Sequence, residues 1–131
     1  MATPNQSQKL TPAELRKLRA LLEHQRAEIA EQLARLNTAM TGVRDARVGL
    51  DADDEHDPEG PTLVFEWSRI AGLQAESTKD LAGIDRARER MNSGDYGLCR
   101  KCGRPISLAR LEARPAAELC IECARALDAS H

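Results

Sequence analysis

Two C-x-x-C pairs near the C-terminal end limit most strongly what this chain can fold into. The pairs are Cys99–Cys102 and Cys120–Cys123, they stand 17 residues apart, and they contain all 4 cysteines of the chain. Zinc prefers a tetrahedron of four sulfur or nitrogen ligands, and this spacing is typical of a four-cysteine zinc site. We therefore predict one structural Zn²⁺ held by these four cysteines, in a module over residues 95–131 that ends in a short helix at 120–129.

Other chemistry of the cysteines is less favoured. A redox-active C-x-x-C pair is usually found near a βαβ pattern, which this sequence lacks. Iron also suits four sulfur ligands, so ligand type alone leaves it open. Because protein sulfurs fill all four positions, no open coordination site remains for catalysis. The sequence also shows no nucleophile with a positioned base and no phosphate loop, and we expect a protein that is not an enzyme.

The composition argues against a large globular core. The chain has 131 residues, of which 41% are apolar, 31% charged and only 2% aromatic. Such chains form long helices or small folds stapled by a metal. The sequence lacks both an apolar run of about 20 residues and a hydrophobic signal core at its start, which predicts a cytoplasmic protein without a membrane segment. A net charge of −2 and the lack of a stacking platform beyond Tyr96 argue against direct DNA binding.

A seven-residue rhythm predicts a first long helix. Residues 1–10 are polar and are expected to be flexible, and Thr11, Pro12 and Glu14 then form the pattern of a capping box. One apolar column recurs every seven residues: Leu15, Leu22, Ile29, Leu36, Val43 and Leu50. Its companion column is mixed: Leu18, Gln25, Gln32, Ala39 and Ala46.

An acidic turn and a second helix follow. Residues 51–61 carry six acidic and no basic side chains, and their Pro and Gly residues interrupt the helix until Thr62 caps the next one. The second stripe alternates steps of four and three up to the stop at Gly94: Leu63, Trp67, Ile70, Gln74, Ser77, Leu81, Ile84, Arg88 and Met91. Trp67 is thus expected in the core, whereas Phe65 lies outside the stripe and is either a partner contact or locally packed. The fold class is all-α: an antiparallel coiled-coil hairpin over residues 11–94 with an acidic tip, followed by the zinc module.

The segment GDYGLCRKCGRPISLARLEARPAAELCIEC, residues 94–123, closely resembles the zinc finger of the DksA/TraR proteins. The resemblance implies a transcription regulator that binds bacterial RNA polymerase directly. It implies that the coiled coil enters the secondary channel and that the acidic tip approaches the catalytic region. The zinc ligands of the family correspond to Cys99, Cys102, Cys120 and Cys123.

The tip and the alarmone contacts of the family correspond only in part. The family pattern Asp-x-x-Asp-x-Ala matches Asp54 and Asp57, but Glu59 stands at the alanine position. Three basic positions of the family, implied to contact guanosine tetraphosphate, fall on Gly83, Arg114 and Ala124. Only Arg114 is basic, so it remains the one candidate for an alarmone or polymerase contact, and the response to the alarmone is expected to be weak or absent.

Other functions remain open from the residues alone. A zinc-stapled coiled coil can serve as an adaptor for another protein, in which case the acidic tip is dispensable. The tip carboxylates can also form an ordinary solvated loop, although a calcium loop is disfavoured because Pro58 replaces the glycine expected at its sixth position.

Overall fold

Four helices make up most of the chain. The computed structural model describes residues 9–53 and 60–129, and in these ranges the helices are α1 (Pro12–Asp53), α2 (Gly60–Ser93), α3 (Leu108–Ala113) and α4 (Ile121–Ala129). The only β-pairing among the described residues is an isolated bridge between Leu98 and Pro105. The predicted all-α fold class is therefore confirmed. Of the described helices, none is both long and apolar enough to cross a membrane.

The two long helices begin and end at local signals. At the start of α1, the Glu14 N–H donates to Thr11 Oγ1 at 3.1 Å, and the Thr11 N–H donates to Glu14 Oε1 at 2.8 Å. This is the reciprocal capping box that the sequence predicts. At the end of α2, Gly94 takes a positive φ of 87°, which glycine adopts without steric cost, so the predicted stop is also confirmed.

The predicted turn between α1 and α2 is too long. Because α1 continues to Asp53 and α2 already begins at Gly60, the helices take residues from both ends of the segment 51–61. The predicted cap at Thr62 is therefore wrong. Pro61 lies in the first turn of α2, where its missing N–H costs no intrahelical bond. The tip residues Asp54, Asp57 and Glu59 and the N-terminal residues 1–8 lie outside the described part of the chain.

The chain divides into two compact units, which we call the cysteine unit (residues 1–26 and 82–131) and the hairpin unit (residues 27–81). In the cysteine unit, the start of α1 packs antiparallel to the end of α2. Arg19 Nη2 donates to Asn92 Oδ1 at 3.4 Å, and Arg26 Nε donates to Asp85 Oδ1 at 2.9 Å. From the first pair to the second, the partner on α1 lies seven residues later in the chain and the partner on α2 lies seven residues earlier, as antiparallel helices require. The fully buried apolar side chains of these segments are Leu18, Leu22, Ile84 and Ala87.

In the hairpin unit, the end of α1 packs antiparallel to the start of α2. Met40, Val43 and Ile70 are buried together, and three half-buried side chains pack against them: Leu36, Leu63 and Ala71. A polar contact lies at the next level, where Gln74 Nε2 donates to Asn37 Oδ1 at 2.8 Å. The hairpin unit therefore combines a small apolar core with a polar contact between its helices.

The prediction for the companion column of α1 is wrong in the hairpin unit. The first column holds, since Leu22 and Val43 are buried, but the predicted companions Gln32, Ala39 and Ala46 are exposed. Leu33 and Met40 lie towards the core in their place. A straight α-helix drifts by about 20° per heptad against a strict seven-residue repeat. Because of this drift, the residue four positions after each residue of the first column points inward. At these positions the chain has the larger apolar side chains Leu33 and Met40.

The prediction of Trp67 as a core residue is also wrong. Its side chain is 41% exposed, and Phe65 is 77% exposed. The structure thus excludes local packing as the explanation for Phe65. Near the start of α2, Phe65 is thus left largely in water and Trp67 is only partly covered.

Candidate metal centre

The first cysteine pair is shaped by a tight backbone turn. The Gly103 N–H donates to the Cys99 carbonyl at 2.9 Å, and the Cys99 N–H donates to the Arg104 carbonyl at 2.8 Å. Gly103 has a positive φ of 78°, a conformation that a residue with a Cβ rarely adopts. The turn brings the sulfurs of Cys99 and Cys102 to the same side of the loop.

The second pair is shaped by the start of α4. Cys120 immediately precedes this helix, and its carbonyl accepts from the Ala124 N–H at 2.9 Å. Cys123 lies in the first turn. The terminal helix predicted at 120–129 is confirmed to within one residue. The start of α4 therefore brings both sulfurs of the second pair within 4.8 Å of the sulfurs of the first pair.

The four sulfurs have the spacing that zinc requires. All four Sγ atoms lie within 4.8 Å of one another, and the Cys102 and Cys120 sulfurs are 3.8 Å apart. A tetrahedron with Zn–S bonds of about 2.3 Å has edges of about 3.8 Å, whereas a disulfide requires about 2.0 Å. All four cysteines are free. The residues fit one tetrahedral zinc ion, and the ion would serve as a structural link because four protein sulfurs complete its coordination.

The pKa values of the four thiols show why their joint ionisation requires a bound cation. Burial would raise the pKa of the Cys99 thiol, but backbone N–H groups of Lys101, Cys102 and Cys120 surround its sulfur and lower the pKa to about 6. The Arg104 side chain lowers the pKa of Cys102 as well. The hydrogen bond from Cys123 to Cys120, together with burial, raises the pKa of Cys123 to about 12. Because the pKa is lowered at two of the thiols and raised at Cys123, a bound divalent cation would supply the charge that lets all four sulfurs bind as thiolates.

A buried tyrosine and a close-packed glycine lie just before the first cysteine pair in the sequence. The Tyr96 hydroxyl donates to the Pro115 carbonyl at 2.7 Å, and burial raises the pKa of Tyr96 to about 12. Gly97 has a positive φ of 90°, and a Cβ there would lie 3.2 Å from Leu10 Cδ1. Leu111 of α3 is fully buried beside it. Helix α3 was not predicted from the sequence. Its one local signal is the cap residue Ser107, whose hydroxyl accepts from the Arg110 N–H at 3.2 Å.

Glu118 joins α2 to both cysteine loops. Its carboxylate accepts from Arg86 Nε at 2.7 Å and from Arg100 Nη1 at 2.5 Å, with Arg90 Nη1 at 3.6 Å. Its backbone carbonyl accepts from the Arg100 N–H at 2.8 Å. Burial alone would raise the pKa of Glu118, but Arg86 and Arg100 outweigh it and hold that pKa below its usual value. No sequence pattern predicts this cluster, because its members lie in three separate segments.

Several arginines of the module are used for structure. Arg100 binds Glu118, and Arg110 Nε donates to the Leu119 carbonyl at 2.9 Å. Arg114 is different: its backbone N–H ends α3 by donating to the Arg110 carbonyl at 2.7 Å, while its side chain is exposed. Arg114 therefore stays a predicted contact residue that the fold itself does not require.

Comparison with known proteins gives a consistent result. Residues 94–129 match the prokaryotic dksA/traR C4-type zinc finger. The RNA polymerase-binding transcription factor DksA of Escherichia coli K12 is 29% identical over 115 residues, which cover 87% of this chain and 71% of that protein. The protein of the same name from Caulobacter vibrioides is 50% identical over 44 residues, which cover 34% of this chain and 31% of that protein.

A solved structure extends the match beyond the finger. The structure of transcription factor DksA2 from Pseudomonas aeruginosa superposes with a TM-score of 0.75 at 28% sequence identity, and the match covers 91% of this chain and 86% of that one. The expected cofactor, one structural zinc ion, is confirmed by the C4-type finger and the close grouping of the four cysteines. Residues 94–129 thus match the DksA/TraR zinc finger, and the chain as a whole is similar in sequence and fold to DksA proteins.

Proposed function

We propose that this chain is a non-enzymatic transcription regulator that binds bacterial RNA polymerase and inserts the end of its hairpin into the secondary channel. The observation that carries the proposal is the fold-wide match. The likeness to DksA2 covers 91% of the chain, so it includes the paired helices as well as the finger, and the E. coli relative is named for binding RNA polymerase. On this proposal the protein acts in the bacterial cytoplasm, where the polymerase is.

The roles of individual residues follow from the proposal. Cys99, Cys102, Cys120 and Cys123 hold the zinc ion, which fixes the two ends of the helix pair in the cysteine unit. The acidic residues Asp54, Asp57 and Glu59 provide the group that acts near the catalytic centre, through attraction to basic side chains or to bound magnesium. Arg114 is an exposed contact to the polymerase.

The first test measures binding and effect separately. Labelled protein is titrated with purified RNA polymerase, and transcript yield is measured from promoters whose open complexes differ in lifetime. We expect wild-type protein to bind and to change transcript yield. The double variant Asp54→Asn, Asp57→Asn should bind within about threefold of wild type but lose most of the effect, because solvent-exposed ion pairs contribute little to affinity.

A charge-matched control exists on α2. Glu76 and Asp80 are exposed side chains of this helix, and the double variant Glu76→Gln, Asp80→Asn changes the net charge by the same amount away from the turn. We expect it to behave as wild type. If wild-type protein neither binds polymerase nor alters transcription, the proposed function is wrong.

A further inference from the structure

The three residues before the second cysteine pair are held by arginines through their backbone carbonyls. The donors lie on α2, in the first cysteine loop and on α3: Ala117 accepts from Arg90 Nη2 at 3.5 Å, Glu118 from the Arg100 N–H at 2.8 Å and Leu119 from Arg110 Nε at 2.9 Å. None of these bonds involves a sulfur atom. The position of Cys120, the next residue in the chain, is therefore set by groups other than the metal ligands.

Arg100 and Glu118 connect the two cysteine pairs directly. Arg100 lies between Cys99 and Cys102 in the sequence, and Glu118 lies two residues before Cys120. Their side chains meet at 2.5 Å between Arg100 Nη1 and Glu118 Oε2, beside the backbone bond at 2.8 Å. A contact at two points sets the orientation of one loop against the other as well as their separation.

Helix α2 supports the same carboxylate. Arg86 Nε donates to Glu118 Oε1 at 2.7 Å, while Arg100 donates to Oε2. Each carboxylate oxygen thus has its own guanidinium partner, and charge-assisted bonds of this kind are shorter and stronger than neutral ones. The Glu118 side chain is only 20% exposed, so it is held in one place between α2 and the first cysteine loop.

A four-sulfur site needs both cysteine pairs at the same time. The turn at Gly103 shapes the first pair and the start of α4 shapes the second, but neither local structure sets the distance between the pairs. If the pairs moved independently, the metal would have to supply the free energy that orders one against the other. A contact between the pairs supplies part of that free energy and thereby raises the affinity for zinc.

We propose that Glu118 is a positioning residue for the zinc ion, which together with Arg100 joins the two cysteine pairs into one four-sulfur site. Glu118 does not bind the metal and acts through the placement of Cys120 and Cys123. Charge alone predicts the opposite effect. A zinc ion with four thiolates is negatively charged, so neutralising a nearby carboxylate would strengthen zinc binding. The inference concerns the metal site and does not depend on the proposed function.

The experiment measures the zinc affinity of the full chain at a fixed pH, by competition with a chelator of known affinity. Glu118→Gln keeps the shape of the side chain and should weaken zinc binding about tenfold or more, the range for residues that orient metal ligands. Glu118→Asp keeps the charge and should recover part of the lost affinity. The control Glu112→Gln removes the same charge from a more exposed pair of the same unit and should bind zinc as wild type does.

A second variant tests the other half of the contact. The Arg100 side chain is 55% exposed, so the finger should keep its fold in Arg100→Gln, and we expect weaker zinc binding there too. Combined with Glu118→Gln, the loss should be smaller than the sum of the two single losses, because both residues act through one contact. Lys101→Gln removes a positive charge from an exposed position of the same loop and should leave zinc affinity near the wild-type value.

Cobalt(II) gives a readout that a mere loss of stability does not change. Its thiolate charge-transfer absorption increases with the number of bound sulfurs. With excess cobalt, wild-type protein should keep one four-sulfur ion per chain, because each pair is present at high effective concentration for the other. In Glu118→Gln, the uncoupled pairs should take one ion each, with less absorption per cobalt. Unchanged or stronger zinc binding in Glu118→Gln would overturn the proposal, and so would a wild-type cobalt titration in a variant that only unfolds more easily.

Discussion

Different kinds of interaction stabilise the cysteine unit and the hairpin unit. In the cysteine unit, a four-sulfur cluster, positive-φ glycines and the Glu118 cluster each specify one backbone path. In the hairpin unit, the core is a small group of apolar side chains, Met40, Val43 and Ile70. Specific interactions thus fix the backbone of the cysteine unit, whereas apolar packing is sufficient for the paired helices of the hairpin unit.

The largest expected effect is loss of the metal. Apparent binding free energies of structural zinc sites are about 10 kcal/mol or more, so Cys102→Ser should release zinc and unfold the finger. Cys102 is exposed, and its replacement therefore removes a ligand without removing buried packing. Zinc content by elemental analysis and amide hydrogen exchange measure the result, with Lys101→Ser as the neighbouring control.

The same hydrogen-exchange measurement tests whether the two units differ in their dependence on the metal. We expect amide protons of the hairpin unit to stay protected when those of residues 96–125 are lost. Equal loss of protection around Val43 and Ile70 would show that the hairpin unit depends on the metal as much as the finger does.

The next effect concerns Glu118. Glu118→Gln keeps the shape but removes the charge that Arg86 and Arg100 share, and hydrogen bonds to charged groups contribute about 1.5–3 kcal/mol each when buried. Since the side chain is 20% exposed, we expect a loss of about 1–3 kcal/mol in the free energy of unfolding, measured by urea denaturation of the zinc-loaded protein.

Glu112 offers a matched control for Glu118. It also pairs with a basic residue, Lys17, but both side chains are more exposed, and exposed pairs contribute about 0–1 kcal/mol. Glu112→Gln should therefore cost clearly less than Glu118→Gln. Equal costs would mean that the Glu118 cluster is an ordinary surface ion pair.

How much the sequence could predict differs in the same way between the units. Cysteine spacing, the capping box and Gly94 are local signals, so the zinc cluster, the start of α1 and the end of α2 were predicted from the sequence. The Glu118 cluster and the contacts of Tyr96 form between residues that only folding brings together. No local sequence pattern therefore predicts these contacts. In the hairpin unit, the switch from Ala39 to Met40 depends on the slow drift of the helix against the heptad, which spacing alone does not register.

Tyr96 allows a smaller test by pH. Burial raises the pKa of Tyr96 to about 12, while an unfolded tyrosine has a pKa of about 10. Between these values the unfolded state loses its proton and the folded state does not, so stability should fall as pH rises from about 10 to 12. The chain has one tyrosine, so its absorbance change at high pH reports this group alone.

A variant of the same residue checks the cause. Tyr96→Phe removes the hydrogen bond to the Pro115 carbonyl and should cost about 1–2 kcal/mol near neutral pH. The tyrosine-linked fall in stability between about pH 10 and 12 should vanish in this variant. An absorbance midpoint near 10 in the folded wild-type protein would contradict the buried position.

The smallest effect compares a glycine from each unit. Gly42 lies inside α1 with open space where a Cβ would project, whereas Gly94 has a φ of 87°. Alanine at position 42 should stabilise the protein by about 0.5–1 kcal/mol because glycine loses more backbone entropy in a helix. Alanine at position 94 should destabilise it by about 1 kcal/mol, since an L-residue there is strained. Thermal midpoints of Gly42→Ala and Gly94→Ala should therefore move in opposite directions, and a shift of the same sign would show that the backbone at Gly94 relaxes as readily as a generic helix position.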